Sequence, residues 1–434
     1  MSEQTLVAIV GCVAVLVLML IRVPIAVSIG SVAVAGFAYL VGPGPALGIL
    51  IDSPIRTVTN FNFSVVPMFI LMGALVSTSG MSRELFRAAN AWVGHLPGGM
   101  AIATIFACGG FAAINGSSLA SAATMTQVAL PEMRRIGYDP GLSAGVVAAG
   151  GTLGIMIPPS VMFILYAILT DTDVASLFIA GILPGLIAVA FYCITVLIIY
   201  RVKSEWLPRV QRADRRERLE SLRDVWATLL LFAIVMGGIY GGFVTITEAA
   251  GVGAFGALMI GVLRGKLKWA GIMDSLVEAL RTSATIFFIL IAAFLFQYFL
   301  AVSQLSQLLA DFLTSLPVGP LGVVIVILAF YIIIGMFVDE IAITLLTIPI
   351  VFPVVVGLGF DPIWFGVLVV VTVQIGLIAP PVGIICFIMD NMVPDIGLVN
   401  IYKGAMPFVI ADLFWLALLV AFPQISLVLV RAMG

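Results

Sequence analysis

Long apolar stretches, separated by short polar ones, make up most of this chain. A helix needs about 20 predominantly apolar residues to cross the hydrocarbon core of a bilayer. Stretches near that length recur from one end of the sequence to the other: residues 6–21, 25–41, 176–200, 225–244, 286–300, 321–336 and 405–430. The pattern predicts an all-α polytopic membrane protein.

Two apolar stretches are interrupted at their centres by polar residues. The first covers 100–130 and is interrupted by Asn-Gly-Ser-Ser at 115–118; the second covers 321–356 and is interrupted by Phe-Val-Asp-Glu at 337–340. Arms of about 12–15 residues form helices of roughly 18–22 Å, shorter than a hydrocarbon core of about 30 Å. We therefore expect two re-entrant helical hairpins, each entering the membrane and returning to the same side.

The two halves of the chain share a sparse repeat. Equivalent residues lie 222 positions apart, as Pro131 and Pro353 do, and the matches fall on residues that shape the backbone. The other matched segments are Gly137-Tyr138-Asp139-Pro140 with Gly359-Phe360-Asp361-Pro362, Gly154 and Pro158-Pro159 with Gly376 and Pro380-Pro381, and Asp173 with Asp395. Many secondary transporters consist of inverted repeats whose broken helices build a site at the membrane midplane. We expect a first repeat over 1–200 and an inverted second repeat over 225–434.

Each hairpin is followed by a helix with a clear start and a clear stop. Asp-Pro at 139–140 and at 361–362 is typical of an N-cap and first helical position. Gly-x-x-x-Pro-Pro then ends the helix within 150–160 and within 374–383, because proline lacks an N–H and clashes with the preceding turn. Broken backbone at membrane depth is tolerated only where it is buried or lines a cavity. We therefore expect the two breaks and the two hairpin tips to meet at one site.

Such a site offers ligands for a cation and for a carboxylate. Unwound carbonyls and hydroxyls suit Na⁺, and N–H groups at half-helix starts suit an organic anion. The candidate cation ligands are Ser117, Ser118, Thr152 and carbonyls near Gly150 and Pro158 in the first half, and Asp339, Thr344, Gln374 and carbonyls near Gly335 and Ala379 in the second. Asn115 is a further polar candidate at the first tip. Each hydroxyl has an alternative role, since serine and threonine in membrane helices often bond only their own preceding turn.

Two acids at the second tip are a separate case. Asp339 and Glu340 follow a long apolar arm, and acids at membrane depth are costly and usually functional. If this tip lies near the water interface instead, both side chains are simply solvated.

Composition supports the membrane assignment and removes other classes. Hydrophobic residues make up 62% of the 434 residues and charged residues only 10%, against about 25% charged in a soluble domain. The net charge of −2 gives no reason to expect nucleic acid as a partner. The four cysteines lie in apolar stretches without a Cys-x-x-Cys pair, so we expect buried small hydrophobic residues rather than metal or disulfide sites.

Basic residues indicate the orientation in the membrane. Residues 201–224 hold eight arginines and lysines, which predicts a cytoplasmic basic loop between the repeats that acts as a topology anchor rather than a partner-binding segment. The first apolar run lacks the basic start of a signal peptide and is followed by Arg22. We expect it to be a retained helix that begins outside the cell.

The motifs at the tips and breaks resemble those of one transporter family. The tip Asn115-Gly116-Ser117-Ser118, the run Gly-Gly-Thr-Leu-Gly-Ile-Met-Ile-Pro-Pro-Ser over 150–160, the segment 335–339 and Pro380-Pro381 with Gly383 are similar to the large membrane subunit of tripartite ATP-independent periplasmic (TRAP) transporters. The likeness runs along nearly the whole chain. It implies about eleven transmembrane helices plus two hairpins, of the ion-transporter-superfamily elevator type. It also implies a multi-pass protein of the bacterial inner membrane that is not an enzyme.

The resemblance further implies a coupling ion, partners and a substrate site. Transport in this family is driven by Na⁺ and proceeds by an elevator movement of the hairpin-bearing domain. The partners are a small four-helix membrane subunit, expected here as a separate chain, and a periplasmic binding protein that delivers an organic acid such as a C4-dicarboxylate or sialic acid. The implied substrate-binding residues are Asn115, Gly116, Ser117, Ser160, Pro381 and Gly383.

Three other functions compete with this interpretation. One is a self-sufficient Na⁺–carboxylate symporter. Another is an intramembrane aspartyl protease that uses Asp139 and Asp361 as a carboxyl pair. Because each aspartate precedes a proline at an expected helix start, helix capping explains both better. The third is a passive channel, which would need rings of charge or a filter that the sequence does not suggest.

Overall fold

The computed structural model describes residues 3–315 and 317–433, and every regular element in those ranges is helical. The helices of the first half are α1 (Glu3–Leu20), α2 (Ile25–Val41), α3 (Pro43–Thr59), α4 (Val65–Thr78), α5 (Met81–Val93), α6 (Gly99–Asn115), α7 (Ser118–Val128), α8 (Leu130–Arg135), α9 (Pro140–Thr152), α10 (Val161–Thr170) and α11 (Val174–Val202). Those of the second half are α12 (Arg215–Tyr240), α13 (Ile246–Leu263), α14 (Trp269–Ser303), α15 (Leu305–Ser315), α16 (Pro320–Gly335), α17 (Glu340–Gly357), α18 (Pro362–Ile378), α19 (Ile384–Met392), α20 (Leu398–Ala421) and α21 (Gln424–Met433).

The predicted all-α membrane class is confirmed at this level. Within the described ranges, seven helices are long and apolar enough to cross a membrane: Phe61–Thr78 (a 3₁₀ turn continued by α4), α11, α12, α13, α14, α17 and α20. Eight shorter apolar helices accompany them. Eleven spans and inverted repeats stay predictions.

Both expected hairpins have the helix–tip–helix order that the sequence indicated. In the first, α6 and α7 have 17 and 11 residues and flank Gly116 and Ser117. In the second, α16 and α17 have 16 and 18 residues and flank 336–339. At 1.5 Å per residue α7 is only about 16 Å long, too short to cross the core by itself.

Helix starts recur at the spacing of the sequence repeat. α7 begins at Ser118 and α17 at Glu340, while α9 begins at Pro140 and α18 at Pro362, so each pair is 222 residues apart. The N-cap side chains recur as well: Ser117 and Asp339 accept backbone N–H bonds at the tips. The repeat therefore extends from sequence to element order.

Half of the basic segment is α-helical, which corrects the expectation that all of 201–224 is a loop. α11 continues to Val202 and α12 begins at Arg215, so the connection between them consists of residues 203–214. Asp214 caps α12 through the Arg215 N–H, and Arg216 pairs with Glu220 one turn later at 2.8 Å. Capping and an i,i+4 ion pair stabilise helix in a segment that composition alone indicated as loop.

Two predicted spans have different bounds. The run at 405–430 is divided, because α20 ends at Ala421 before Pro423 and α21 begins at Gln424. The run at 286–300 is the apolar end of α14, which has 35 residues. That helix is roughly 52 Å long, so its polar first half extends well beyond a hydrocarbon core.

Two sets of helix contacts frame the fold. In one, α14 packs along α2 and α4, and α4 also packs on α13. In the other, α9 packs on α6 and α7 of the first hairpin and on α20. The α9–α20 contact is very close: a Cβ built at Gly145 would lie 2.0 Å from the carbonyl carbon of Gly404. Small residues at such crossings let helix backbones approach within a membrane protein.

Candidate functional site

The first hairpin tip lies against the first helix break, as predicted. Gly116 has a φ of 65°, and a Cβ built there would lie 2.8 Å from the Pro159 carbonyl oxygen. The Val161 N–H donates to the Gly116 carbonyl at 3.4 Å. A Cβ at Gly154 would lie 2.4 Å from the Ser117 carbonyl oxygen, so glycine is required on both sides of this contact.

The second tip also contacts the second break, through tip residues at neighbouring rather than identical repeat positions. The Gly383 N–H donates to the Met336 carbonyl at 3.1 Å, and a Cβ at Gly376 would lie 2.5 Å from the Gly335 carbonyl carbon. Both prolyl pairs, at 158–159 and 380–381, contain a cis peptide bond. The two halves therefore bring tip and break together through equivalent segments.

The two tips meet each other at residues that the repeat makes equivalent. The Ser118 hydroxyl donates to the Glu340 carboxylate, and these positions lie 222 residues apart. Glu340 is 5% exposed and Ser118 fully buried. Asp339 beside it accepts N–H bonds from Ile341 and Ala342 at 3.0 and 3.1 Å. A buried acid thus joins the hairpins where the first half has a serine.

A cavity of about 270 Å³ opens between the tips and α14. Four of the candidate residues line it: Asn115, Gly116, Ser117 and Asp339. Sequence reasoning missed the other wall, which consists of Ile70 and Ala74 from α4 and Glu278, Thr282 and Ile286 from α14. No tip motif indicates these positions, because only tertiary packing brings α4 and α14 to the hairpins.

The cavity lining is acidic. Glu278, Asp339 and Glu340 contribute carboxyl groups, and no lysine, arginine or histidine is among its described lining residues. An organic acid in this cavity would therefore need a positive charge from another source.

Several predicted residues lie outside the cavity lining, most of them at the breaks. Ser160 caps α10 and donates to the Ile155 carbonyl at 2.6 Å. Thr344 donates to the Glu340 carbonyl at 2.8 Å, bonding its own preceding turn.

The backbone carbonyls of the breaks have partners or neighbours of their own. Pro381 is exposed, and its carbonyl accepts a hydrogen bond from the Tyr402 hydroxyl at 2.8 Å. Pro158 is buried, and the Gly150 carbonyl accepts the Leu153 N–H. The Ala379 carbonyl oxygen lies at the second break, where a Cβ built at Gly383 would be 2.9 Å away.

Thr152 and Gln374 meet at a separate buried centre. The Tyr192 hydroxyl lies 3.2 Å from Thr152 Oγ1, accepts the Gln374 amide at 2.9 Å, and donates to Asp412 Oδ2 at 3.1 Å. All four side chains are at most 1% exposed. Tyr192 and Asp412 are not among the residues predicted from the sequence, although an acid in the middle of an apolar helix is a usable signal.

The two aspartates of the protease alternative cap helices. Asp139 accepts the Leu142 N–H at 2.8 Å, and Asp361 accepts the Ile363 N–H at 2.8 Å. Both thus perform the capping role predicted from the Asp-Pro pairs.

An exposed ion pair connects the two halves outside the hairpins. Arg134 in α8 contacts Asp395, which lies between α19 and α20. The Arg134 guanidinium hydrogen-bonds Asp395 and lowers the pKa of that carboxyl. Exposed pairs of this kind contribute little to stability.

Comparison with known proteins agrees with these motifs. Residues 12–425 match the family described as "Tripartite ATP-independent periplasmic transporter, DctM component". The chain is 37% identical over 404 residues to the C4-dicarboxylate TRAP transporter large permease protein DctM of Pseudomonas aeruginosa, covering 91% of this chain and 94% of that protein. It is 32% identical over 375 residues to the sialic acid TRAP transporter large permease protein SiaM of Vibrio cholerae, covering 86% and 87%.

A solved transporter has a related fold. The crystal structure of the Alcanivorax borkumensis YdaH transporter superposes with a TM-score of 0.65 at 15% identity and covers 88% of this chain and 89% of its own. At that identity the likeness concerns the fold alone. The family match over nearly the whole chain, with two relatives named as large permease proteins, shows that this chain belongs to the DctM family of large membrane permeases of TRAP transporters.

Proposed function

We propose that this chain is the permease subunit of a Na⁺-coupled importer of organic acids, which a periplasmic binding protein delivers. The observation that carries the proposal is the cavity between the hairpin tips and α14, lined by Asn115, Gly116 and Ser117. The relatives are named for C4-dicarboxylate and for sialic acid. A carboxylate is therefore the substrate class that we assign to the cavity.

The acidic lining supports the coupling to Na⁺. A carboxylate substrate beside Glu278, Asp339 and Glu340 would be repelled unless cations offset these charges. We assign one Na⁺ to the first tip and break, at Ser117, Ser118 and the 150–158 carbonyls. We assign a second to Gly335, Asp339 and the carbonyls near Ala379 at the second break, where unwound backbone supplies oxygens.

The transport movement that we propose is of the elevator type. The hairpins and the helices around α9 would move together across the membrane, while α1, α2 and α14 stay fixed with a small membrane subunit packed on them. The wall of the cavity supports this division, because one side belongs to the tips and the other to α4 and α14. Release into the cytoplasm would follow when the tips pass the end of that wall.

Reconstitution tests the proposed function. The chain is placed in liposomes with and without a small membrane subunit and a binding protein whose ligand has been identified by thermal-shift screening. With both partners and an inward Na⁺ gradient, we expect accumulation of that organic acid, rising more steeply than linearly with Na⁺.

Two outcomes would contradict the proposal. Uptake that is unchanged in Na⁺-free buffer would exclude Na⁺ coupling. Full accumulation by this chain alone would replace the tripartite mechanism with a self-sufficient symporter.

A further inference from the structure

The centre around Asp412 carries a buried acid without a visible positive partner. Asp412 lies in α20 and is 1% exposed, and no lysine, arginine or histidine of the described residues pairs with it. A charge removed from water without a partner costs several kcal/mol in a protein interior. The Asp412 carboxyl therefore needs either a proton or a compensating cation.

The neighbouring helices offer no such charge nearby. α20 packs on α9, α11, α18 and α19, and α9 and α18 contain no ionisable side chain. The ionisable groups of α19 are Cys386 and Asp390. Besides Tyr192, α11 carries Cys193, Tyr200 and Arg201, and α20 carries Tyr402 and Lys403. Arg201 and Lys403 each lie nine residues from the centre along their helices, about 13 Å of rise.

Two oxygens at this centre have no hydrogen-bond partner among the described residues. They are Oδ1 of Asp412 and Oε1 of Gln374. Both are acceptors that could bond a donor or coordinate a cation, and buried acceptors without a partner are rare and costly. One bound cation would neutralise the carboxylate and supply a partner for it.

We propose that Asp412, Gln374 and Tyr192 form a binding site for one monovalent cation, either a proton or Na⁺, whose occupancy changes during transport. The site differs from the two assigned to the hairpin tips, because its acid comes from α20 and its centre is the Tyr192 hydroxyl. Tyr192 contacts Thr152 and Gln374, which are repeat equivalents at the ends of the two broken helices. A cation here would thus respond to rearrangement of either break.

Direct binding measurements test the site without partners or substrate. The purified chain in nanodiscs is examined by infrared spectroscopy for a protonated carboxyl band, and by equilibrium ²²Na⁺ binding. Asp412→Asn keeps the shape and removes the charge. We expect this variant either to lose one protonated-carboxyl band or to bind one Na⁺ fewer, which identifies the cation. An unchanged band and unchanged Na⁺ stoichiometry would overturn the proposal.

Conservative variants keep the test meaningful if Asp412→Asn folds poorly. Asp412→Glu should restore the band or the Na⁺ stoichiometry, whereas Tyr192→Phe should weaken affinity without changing the number of ions bound. Asp52→Asn makes the same chemical change at an exposed carboxyl and should behave as wild type. A Tyr192→Phe protein with wild-type cation affinity would contradict the proposed centre.

The link to transport rests on the proposed function and is tested separately. Uptake is measured in proteoliposomes with both partners. If the site binds a proton, uptake by Asp412→Asn should depend less on pH. If the site binds Na⁺, uptake should depend less on Na⁺ concentration. If the variant has altered cation binding but its uptake depends on pH and Na⁺ as in wild type, occupancy of the site does not change during transport. That result would overturn the proposed link between the site and transport. Because cation binding is measured without uptake, absence of this cation site can be distinguished from failure of the proposed transport function.

Discussion

At the scale of single residues, Glu340 is the side chain that joins the two hairpin tips. It is buried between the hairpins, its repeat equivalent is Ser118, and it accepts that hydroxyl's hydrogen bond. A buried acid at this contact provides both a structural link and a charge next to the cavity. The two roles can be separated by substitution.

Removal of the Ser118 hydroxyl should destabilise the protein. Ser118→Ala leaves a buried carboxylate with one hydrogen bond fewer, which costs about 1–3 kcal/mol or more for a charged group. Thermal unfolding in detergent should show a clear drop in Tm. Ser143→Ala is the matched control, since this hydroxyl bonds only the Asp139 carbonyl one turn earlier. Equal effects of the two substitutions would mean that the contact between the hairpins adds no stability.

Neutralisation of Glu340 should reduce the Na⁺ requirement. Glu340→Gln retains an acceptor for Ser118 but removes one negative charge from the cavity lining, so fewer cations are needed to offset it. In reconstituted uptake we expect a shallower Na⁺ dependence with transport retained. A Na⁺ dependence as steep as in wild type would show that Glu340 does not interact with a coupling ion.

At the scale of elements, close helix crossings position the site. α9 leads into the first break, and its Gly141 and Gly145 lie against Gly404 of α20. That contact also sets the distance between Thr152 and Asp412, which reach Tyr192 from these two helices. Packing of backbone on backbone is therefore part of the site's architecture.

Enlargement of either glycine at this crossing should be severe. Gly145→Ala or Gly404→Ala would place a methyl group within about 2 Å of backbone atoms, and overpacking typically costs 1–3 kcal/mol or more. We expect large losses of Tm and of folded yield. Gly251→Ala in α13 is the control, because nothing lies within 4 Å of its built Cβ and alanine favours helix by up to about 1 kcal/mol. Normal stability of Gly145→Ala would refute the close crossing.

At the scale of the whole molecule, orientation in the membrane decides which way the cavity opens. The structure gives helix order and packing, while the distribution of basic residues gives the sidedness. The connection between α11 and α12 is expected in the cytoplasm, and the turn between α2 and α3 outside. Elevator transport requires that the hairpins approach the site from opposite sides.

Cysteine accessibility tests this orientation. In intact cells, a membrane-impermeant maleimide should label Gly44→Cys but not Arg212→Cys, which should react only after permeabilisation. Both positions are exposed, and the native cysteines, buried or half-buried, provide the background. Labelling of Arg212→Cys in intact cells would invert the proposed topology.

The sequence alone predicted the helical class, the repeat, both tips and both breaks. It could do so because glycine, proline and N-cap residues act on the backbone locally, and their positions need no knowledge of distant contacts. It misplaced the extent of α12 and α20 because ion pairs, caps and a single proline shift helix ends by several residues. The coupling of transport to Na⁺ and the elevator movement stay predictions.

Only the tertiary structure decided which side chains share a space. It brought α4 and α14 to the cavity wall, placed Glu340 on Ser118, and moved Thr152 and Gln374 away from the tips to Tyr192 and Asp412. Thr152 and Tyr192 are 40 positions apart, and the other three hydrogen bonds join residues 182, 220 and 222 positions apart. The physical reason is that such pairings depend on how whole helices pack, which no local propensity in the chain encodes.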